Sequence, residues 1–459
     1  MVKLSRIIYV CSKCDAQFPR WLGQCPECGS WGTVEKQMAS EHSQGTKIEA
    51  AAGKIVEFEK VQGNDIERLK TGIEEFDQVL GGGIVPGSLV LLGGEPGIGK
   101  STLVLQITEK NSFPILYVSG EESAEQIKMR LDRLNLKVKE LKFLGETNIE
   151  IICATLEQCK PQIAIIDSIQ TMFFSGLPSE AGSVNQVRAC TVKLLGVNQV
   201  RACTVKLLGV AKKNKISIFI VGHVTKEGFV AGPKTLEHLV DCVIYLEGER
   251  YHQLRLLRTI KNRFGSTNEV GVFEMKEDGL KEIKNPSHVF LQQREGNAPG
   301  SVVTAVMQGN RPFLIEVQAL VSKTAYGYPQ RRSAGFDFNR LQLLIAVLTK
   351  ICGLNLSNLD VLINIVGGIK IEEPACDLAV CLAIASAYKN QVIDSGLVAF
   401  GEVGLDGGVR NVSQTERRLK EISKLGFKKA IIPKNGVKNK QGLEIIEIKN
   451  LKECLKLFF

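Results

Sequence analysis

Between Ile66 and Lys284, short apolar runs alternate with amphipathic stretches. SLVLLGG (88–94), ILYVSG (115–120), IAIIDS (163–168), ISIFIVG (216–222) and CVIYLEG (242–248) are rich in Ile, Val and Leu and too short for helices. Between them, positions such as Ile127, Leu131 and Leu134 recur at helical spacing. Strands buried on both sides and separated by helices predict an α/β fold around a parallel sheet. A second, shorter αβ pattern fills residues 286–459 and opens with SVVTAVM and FLIEVQALV. The expected organisation is a Cys-rich module at 1–35, a polar linker at 36–65, an α/β domain at 66–285 and an α+β domain at 286–459.

One segment breaks the pattern. VNQVRACTVKLLG occupies 184–196 and recurs letter for letter at 197–209. Thirteen residues advance a helix by about 220° beyond three full turns, so two copies in one helix cannot present the same stripe to one sheet. Either the helix runs on past the domain body, or one copy is extruded as a loop.

Bulk composition narrows the class without choosing a function. The 459 residues are 44% hydrophobic and 23% charged, with 58 basic and 49 acidic side chains giving a formal charge of +9. That excess is compatible with a polyanion partner and proves none. No stretch is long and apolar enough to span a membrane, and the N-terminus lacks the features of a secretory signal. The expected compartment is the cytoplasm. Of 13 cysteines, four cluster near the N-terminus as Cys11-x2-Cys14 and Cys25-x2-Cys28. Two thiolate knuckles at that spacing form a closed tetrahedral Zn²⁺ site, with a mononuclear iron site as the alternative. Phe18, Arg20, Trp21 and Trp31 beside it either contact nucleic acid or pack on the knuckles.

The strongest chemical signal is Gly94-Glu95-Pro96-Gly97-Ile98-Gly99-Lys100-Ser101, followed by Thr102. It fits the phosphate-binding loop of ATPases and lies between a predicted strand and a predicted helix. Glycines let successive backbone amides face the phosphates of ATP, and the helix N-terminus adds positive charge. Lys100 neutralises β- and γ-oxygens, while the Ser101 hydroxyl ligates Mg²⁺. Asp167 ends an apolar strand and is placed to hold the Mg²⁺ shell. Glu121 and Glu122 stand where another strand meets a helix. Glu121 is the preferred candidate to polarise the attacking water, the alternative being simple charge complementarity at a helix start.

These motifs, with IFIVGHVTKEG and KNRFG in the same order, resemble the bacterial RadA (Sms) family of DNA-repair ATPases over nearly the whole chain. The resemblance implies a RecA-like core, hexameric rings on single-stranded and branched DNA, ATP-driven branch migration of recombination intermediates, and RecA recombinase as a partner. It implies γ-phosphate sensing by His223 and DNA contacts from Lys226 and Lys234. Lys261 and Arg263 would bind DNA or reach a neighbouring subunit's nucleotide; the alternative is a solvated charged turn after Leu254–Ile260. The region from 290 onward resembles the Lon protease domain, with Gly401–Val409 matching its strand-and-turn. At the nucleophile position stands Ala375, and at the lysine position Glu416, so proteolysis is not expected. The basic run Arg417, Arg418, Lys420, Lys424, Lys428 and Lys429 is either a DNA-binding face or a solvated one.

Overall fold

The computed structural model describes residues 7–12, 17–18, 20–26, 30–38, 67–110, 113–175, 188–222, 236–248, 253–292, 294, 298–325, 327–434 and 441–459. Cys14, Cys28, His223, Lys226 and Lys234 lie outside these residues, as does most of the polar linker. The chain divides into two compact units, 1–65 and 66–459.

In the first unit, β1 (Ile7–Cys11) pairs antiparallel with β2 (Gln17–Phe18) and β3 (Val34–Met38). Cys11 stands opposite Val34. Cys11, Cys25 and Val34 form a small buried cluster flanked by Tyr9 and Phe18.

The second unit begins with α1 (Glu74–Val79), β4 (Leu89–Gly94), α2 (Lys100–Glu109), β5 (Ile115–Ser119), α3 (Ala124–Arg133), β6 (Leu141–Gly145), α4 (Ile149–Cys159) and β7 (Ile163–Asp167). It continues with α5 (Arg188–Asn214), β8 (Ser217–Val221), β9 (Cys242–Glu247), β10 (Leu254–Asn262), β11 (Val270–Lys276) and β12 (Gly279–Glu282). The strands form a sheet in the order β12-β11-β10-β9-β4-β8-β7-β5-β6. Six are parallel, from β9 through β6, as the alternating pattern predicts. The expectation of a parallel sheet needs correction at one edge, where β10, β11 and β12 run antiparallel. Tight connections make hairpins of these strands, whereas parallel neighbours need helical crossovers.

The remainder comprises α6 (Pro286–Leu291), β13 (Ser301–Gln308), β14 (Arg311–Lys323), β15 (Arg331–Ala334), α7 (Phe338–Lys350), β16 (Leu359–Ile365), α8 (Asp377–Lys389), β17 (Leu397–Ala399), β18 (Glu402–Val403), β19 (Val409–Arg410), α9 (Thr415–Lys424), β20 (Lys429–Pro433), β21 (Glu444–Ile448) and α10 (Leu451–Lys456). A mixed sheet, β15-β16-β14-β13-β17-β20-β21, carries the almost wholly buried α8. The Gly401–Val409 pattern forms the β18–β19 hairpin.

The two sheets share a core. Leu256, Val270 and Val272 of β10 and β11 pack in one cluster with Phe290, Phe313 and the α7–α8 interior. Leu257 and Phe273 of the same strands instead join the core around α2. Strand alternation thus sends neighbouring residues into different cores. Polar contacts reinforce the seam: Arg311 donates to Glu75 at 2.7 Å, and Arg258 bonds Gln308.

The repeat resolves towards the extended-helix alternative, since α5 runs unbroken from Arg188 to Asn214. Its second copy supplies the docked stripe: Val200, Cys203, Thr204 and Leu207 are buried, followed by Val210 and Ala211. Deleting 184–196 leaves that stripe and the sequence entering it unchanged. We expect the shortened protein to retain its ATP turnover and to match the parent's stability within about 0.5 kcal/mol, since every described buried residue of α5 is kept. Paired thermal melts and phosphate-release assays check this.

Candidate ATP site

The loop 94–99 leaves the end of β4 and opens α2. Gly99 is the N-cap of α2, with φ 112°. A Cβ there would stand 2.5 Å from Met275 Cε. At Gly94, φ 151°, a Cβ would lie 2.6 Å from the Leu246 carbonyl on β9. Glycine is required at Gly94 by backbone conformation and by the close approach of a carbonyl, and at Gly99 by backbone conformation, since the end of the Met275 side chain can shift. The helix that follows presents its unpaired amides at the loop, an arrangement suited to phosphate. Arg255 of β10, itself buried, donates through Nε to the Ile98 carbonyl at 3.3 Å, backing the loop from behind.

Lys100 is buried and folds back over the loop, its Nζ donating to Gly94 O at 3.0 Å and Glu95 O at 2.9 Å. Burial pulls the ammonium down to about 8, against the opposing pull of the Asp167 and Glu121 carboxylates. Phosphate oxygens bind the charged form, which is lost as pH rises through 8. ATP affinity should therefore fall about tenfold between pH 7 and pH 9, following the protonated fraction. Calorimetric titration with Mg·ATP at the two pH values measures it.

β5 and β7 deliver the acids. Asp167, at the buried end of β7, accepts a short hydrogen bond from the Tyr117 hydroxyl. Glu121 accepts from Ser168 Oγ, so Asp167 and Glu121 are brought to neighbouring positions facing Lys100. The Ser119 hydroxyl accepts from the amides of Glu121 (3.3 Å) and Glu122 (3.1 Å), shaping the turn. Glu122 pairs with Arg130 on α3. Of the two adjacent acids, it is Glu121 that faces the loop. Ser101 and Thr102 are half-buried in the first turn of α2. Ser101 and Asp167 have the hard oxygen donors that a Mg²⁺ shell requires.

Lys261 and Arg263 are elsewhere. Lys261 lies in β10 rather than in a turn, and its Nζ donates to the carbonyls of Glu237 (2.7 Å), Val240 (2.9 Å) and His238 (3.3 Å). Arg263 reaches Asp241 at 3.4 Å. The same buried carboxylate accepts from Lys212 at 2.7 Å and from the amide of Leu89, the first residue of β4, at 3.1 Å. The phosphate loop leaves the other end of that strand, about 17 Å away. Within one chain, therefore, KNRFG does not meet the ATP loop.

In the first unit, the two described cysteines converge although 13 residues lie between them. The Cys25 amide donates to Ser30 O at 2.9 Å, and Cys11 Sγ lies 3.2 Å from Thr33 Oγ1. Buried thiols approached from two knuckles fit one half of a four-sulfur Zn²⁺ site. Phe18 packs on this cluster, while Trp21 and Trp31 are 60% and 75% exposed.

The two positions at which the Lon resemblance requires Ser and Lys carry neither. Ala375 is buried and Glu416 is exposed on α9. The basic run is corrected at Arg418, which is fully buried and no part of a solvated face. It pairs with Glu373, donates to the carbonyls of Ala305 and Ser413 (3.0 Å to the latter), and lies over the Phe400 ring. Cys376 is also fully buried, which pushes its thiol far above the usual range and leaves it inert.

Tyr117, Ser119, Ser168 and Arg255 were not anticipated from sequence. Tyr117 carried a signal: a hydroxyl inside an otherwise apolar strand demands a partner.

Comparison with known proteins gives the same assignment part by part. The KaiC ATPase family model matches residues 69–286, the rubredoxin metal-binding domain 9–36, and the ChlI subunit of Mg-chelatase 337–436. The second of these spans all four clustered cysteines. The chain is 45% identical to the DNA repair protein RadA of Bacillus subtilis, covering 98% of this chain and 97% of that one. Against RadA of Streptococcus pyogenes serotype M6 the identity is 46%, with 98% of each chain covered. RadA of Listeria monocytogenes is 44% identical over 98% and 97%. With its phosphate loop, its Zn²⁺ ribbon and relatives matched end to end, the chain belongs to the RadA family of DNA repair ATPases.

Proposed function

We propose that the chain is a DNA-dependent ATPase that drives branch migration and the processing of recombination intermediates as a homo-oligomeric ring, most simply a hexamer. The observation that carries this reading is the convergence of Lys100, Asp167 and Glu121 on the N-terminus of α2, in a chain matched end to end by DNA repair proteins. In this proposal the amides of 94–102 and the Lys100 ammonium bind the β- and γ-phosphates of ATP. Ser101 and Asp167 hold Mg²⁺, which supplies charge neutralisation to the phosphates when bound. Glu121, oriented by Ser168, accepts a hydrogen bond from the attacking water and takes its proton as the water attacks.

Lys261 and Arg263 lie too far from their own phosphate loop to serve it, which favours action on a neighbour's nucleotide or on DNA. A cation supplied by a neighbouring subunit would couple hydrolysis to ring assembly. His223 would sense the γ-phosphate, and Lys226 and Lys234 would contact DNA phosphates. The exposed Trp21 and Trp31 offer faces on which bases of single-stranded or branched DNA could stack. RecA recombinase is the expected protein partner. Among the described residues, no helix is long and apolar enough to cross a membrane.

The test is the ATP hydrolysis rate with and without single-stranded DNA at two salt concentrations. Stimulation that falls steeply with salt is expected of a polyanion-binding motor. Hydrolysis indifferent to DNA at low salt would overturn the motor reading in favour of an ATPase whose partners are proteins.

A further inference from the structure

Tyr117 is a buried ionisable side chain to which the reaction gives no direct part. In the β5–β7 pair, Tyr117 stands opposite Ile165, and Ser119 opposite Asp167. Side chains alternate along a strand, so Tyr117 and Asp167 point to the same face of the sheet, two residues out of step. That offset is about 7 Å of extended chain, which a tyrosine ring and its hydroxyl span. The ring is fully buried in the core that also holds Ile115, Ile165 and Leu103 of α2. A side chain packed to that density cannot swing aside. Its hydroxyl is thereby delivered to Asp167 Oδ2.

From this geometry we infer that Tyr117 is a positioning residue for the Mg²⁺ site: its hydroxyl engages Asp167 Oδ2, fixes the plane of the carboxylate and leaves Oδ1 to the metal's water shell. The inference rests on the proposed role of Asp167. An aspartate's terminal torsion is broad, so without a fixed partner its two oxygens exchange places and tilt freely. A second contact behind a metal-holding group is where orientation is normally secured, and losing such a contact typically weakens metal affinity by about 10- to 100-fold. The lower end applies here, since Asp167 would hold the ion through water.

Tyr117→Phe removes only the hydroxyl. The readout is affinity for a non-hydrolysable ATP analogue, measured by calorimetry across a Mg²⁺ series and again in EDTA. The half-saturating Mg²⁺ concentration should rise about tenfold. Affinity in EDTA and the thermal midpoint should stay at parental values. An unchanged Mg²⁺ requirement overturns the inference, and so does an equal loss of affinity with and without Mg²⁺. Asp167→Asn, alone and combined with Tyr117→Phe, separates the two levels. If Asp167→Asn alone leaves the Mg²⁺ requirement intact, the role of Asp167 falls and takes this inference with it. If Asp167→Asn shifts it and Tyr117→Phe does not, only the role of Tyr117 falls. A double variant no worse than Asp167→Asn supports the shared pathway.

Discussion

Lys100→Ala should lower ATP turnover by roughly 10³-fold, the scale of removing a fixed charge-stabilising donor from a reacting phosphate or carbonyl. The ammonium does two things that alanine cannot. It carries the positive charge that in the proposed mechanism meets the β- and γ-oxygens, and it ties the loop to itself through the Gly94 and Glu95 carbonyls. Stability should move the other way. The side chain is only 3% exposed, and burial already disfavours its charge. Removing a desolvated ammonium relieves that cost, so the melting temperature should match or exceed the parent's. Dead catalysis in an equally stable protein is the expected signature, read by phosphate release and calorimetry on one preparation. Parental turnover would overturn the assignment of the loop.

Arg418→Ala should give the opposite pattern, with intact chemistry in a weakened fold. The guanidinium is fully buried, and its partners are Glu373, two carbonyls and the Phe400 ring. Truncation strands the Glu373 carboxylate, which otherwise also accepts the Met307 amide at 2.7 Å. Breaking a buried pair from one side costs about 3–5 kcal/mol, and for a domain of this size the melting temperature should fall by roughly 10 °C. Arg418→Met with Glu373→Gln removes both charges and keeps an acceptor for the Met307 amide. It should recover most of the loss. Turnover per folded molecule should be unaffected in both variants, because neither residue touches the ATP loop. A melt of Arg418→Ala superimposable on the parent's would show that the pair is not a structural requirement.

The difference between what could and could not be read from the chain is physical. The phosphate loop was legible because its residue types are dictated by one ligand chemistry within ten positions. Helix α3 was legible because Ile127, Leu131 and Leu134 repeat at its own period, and all three are buried. Periodicity reveals a strand but not its direction, so the antiparallel pairing of β10 to β12 is not written in their pattern. Burial of a charge is likewise invisible locally. Arg418 sits in a run of cations, and only the return of Glu373, 45 residues earlier in the chain, distinguishes it from Arg417. The placement of Lys261 and Arg263 behind β4 depended on strand order, and the Tyr117–Asp167 contact on register. Neither is written in any short window of sequence.

Strands β10 and β11 have two clients, the nucleotide loop on one side and the fold of residues 286–459 on the other. Severing the chain after Asn285 would uncover Leu256, Val270 and Val272, which at present lie in the second core. The wall behind the nucleotide loop is thereby shared with the fold of residues 286–459. Any displacement of β10 or β11 as nucleotide binds or leaves must be felt in residues 286–459, because Leu256, Val270 and Val272 are packed into their core.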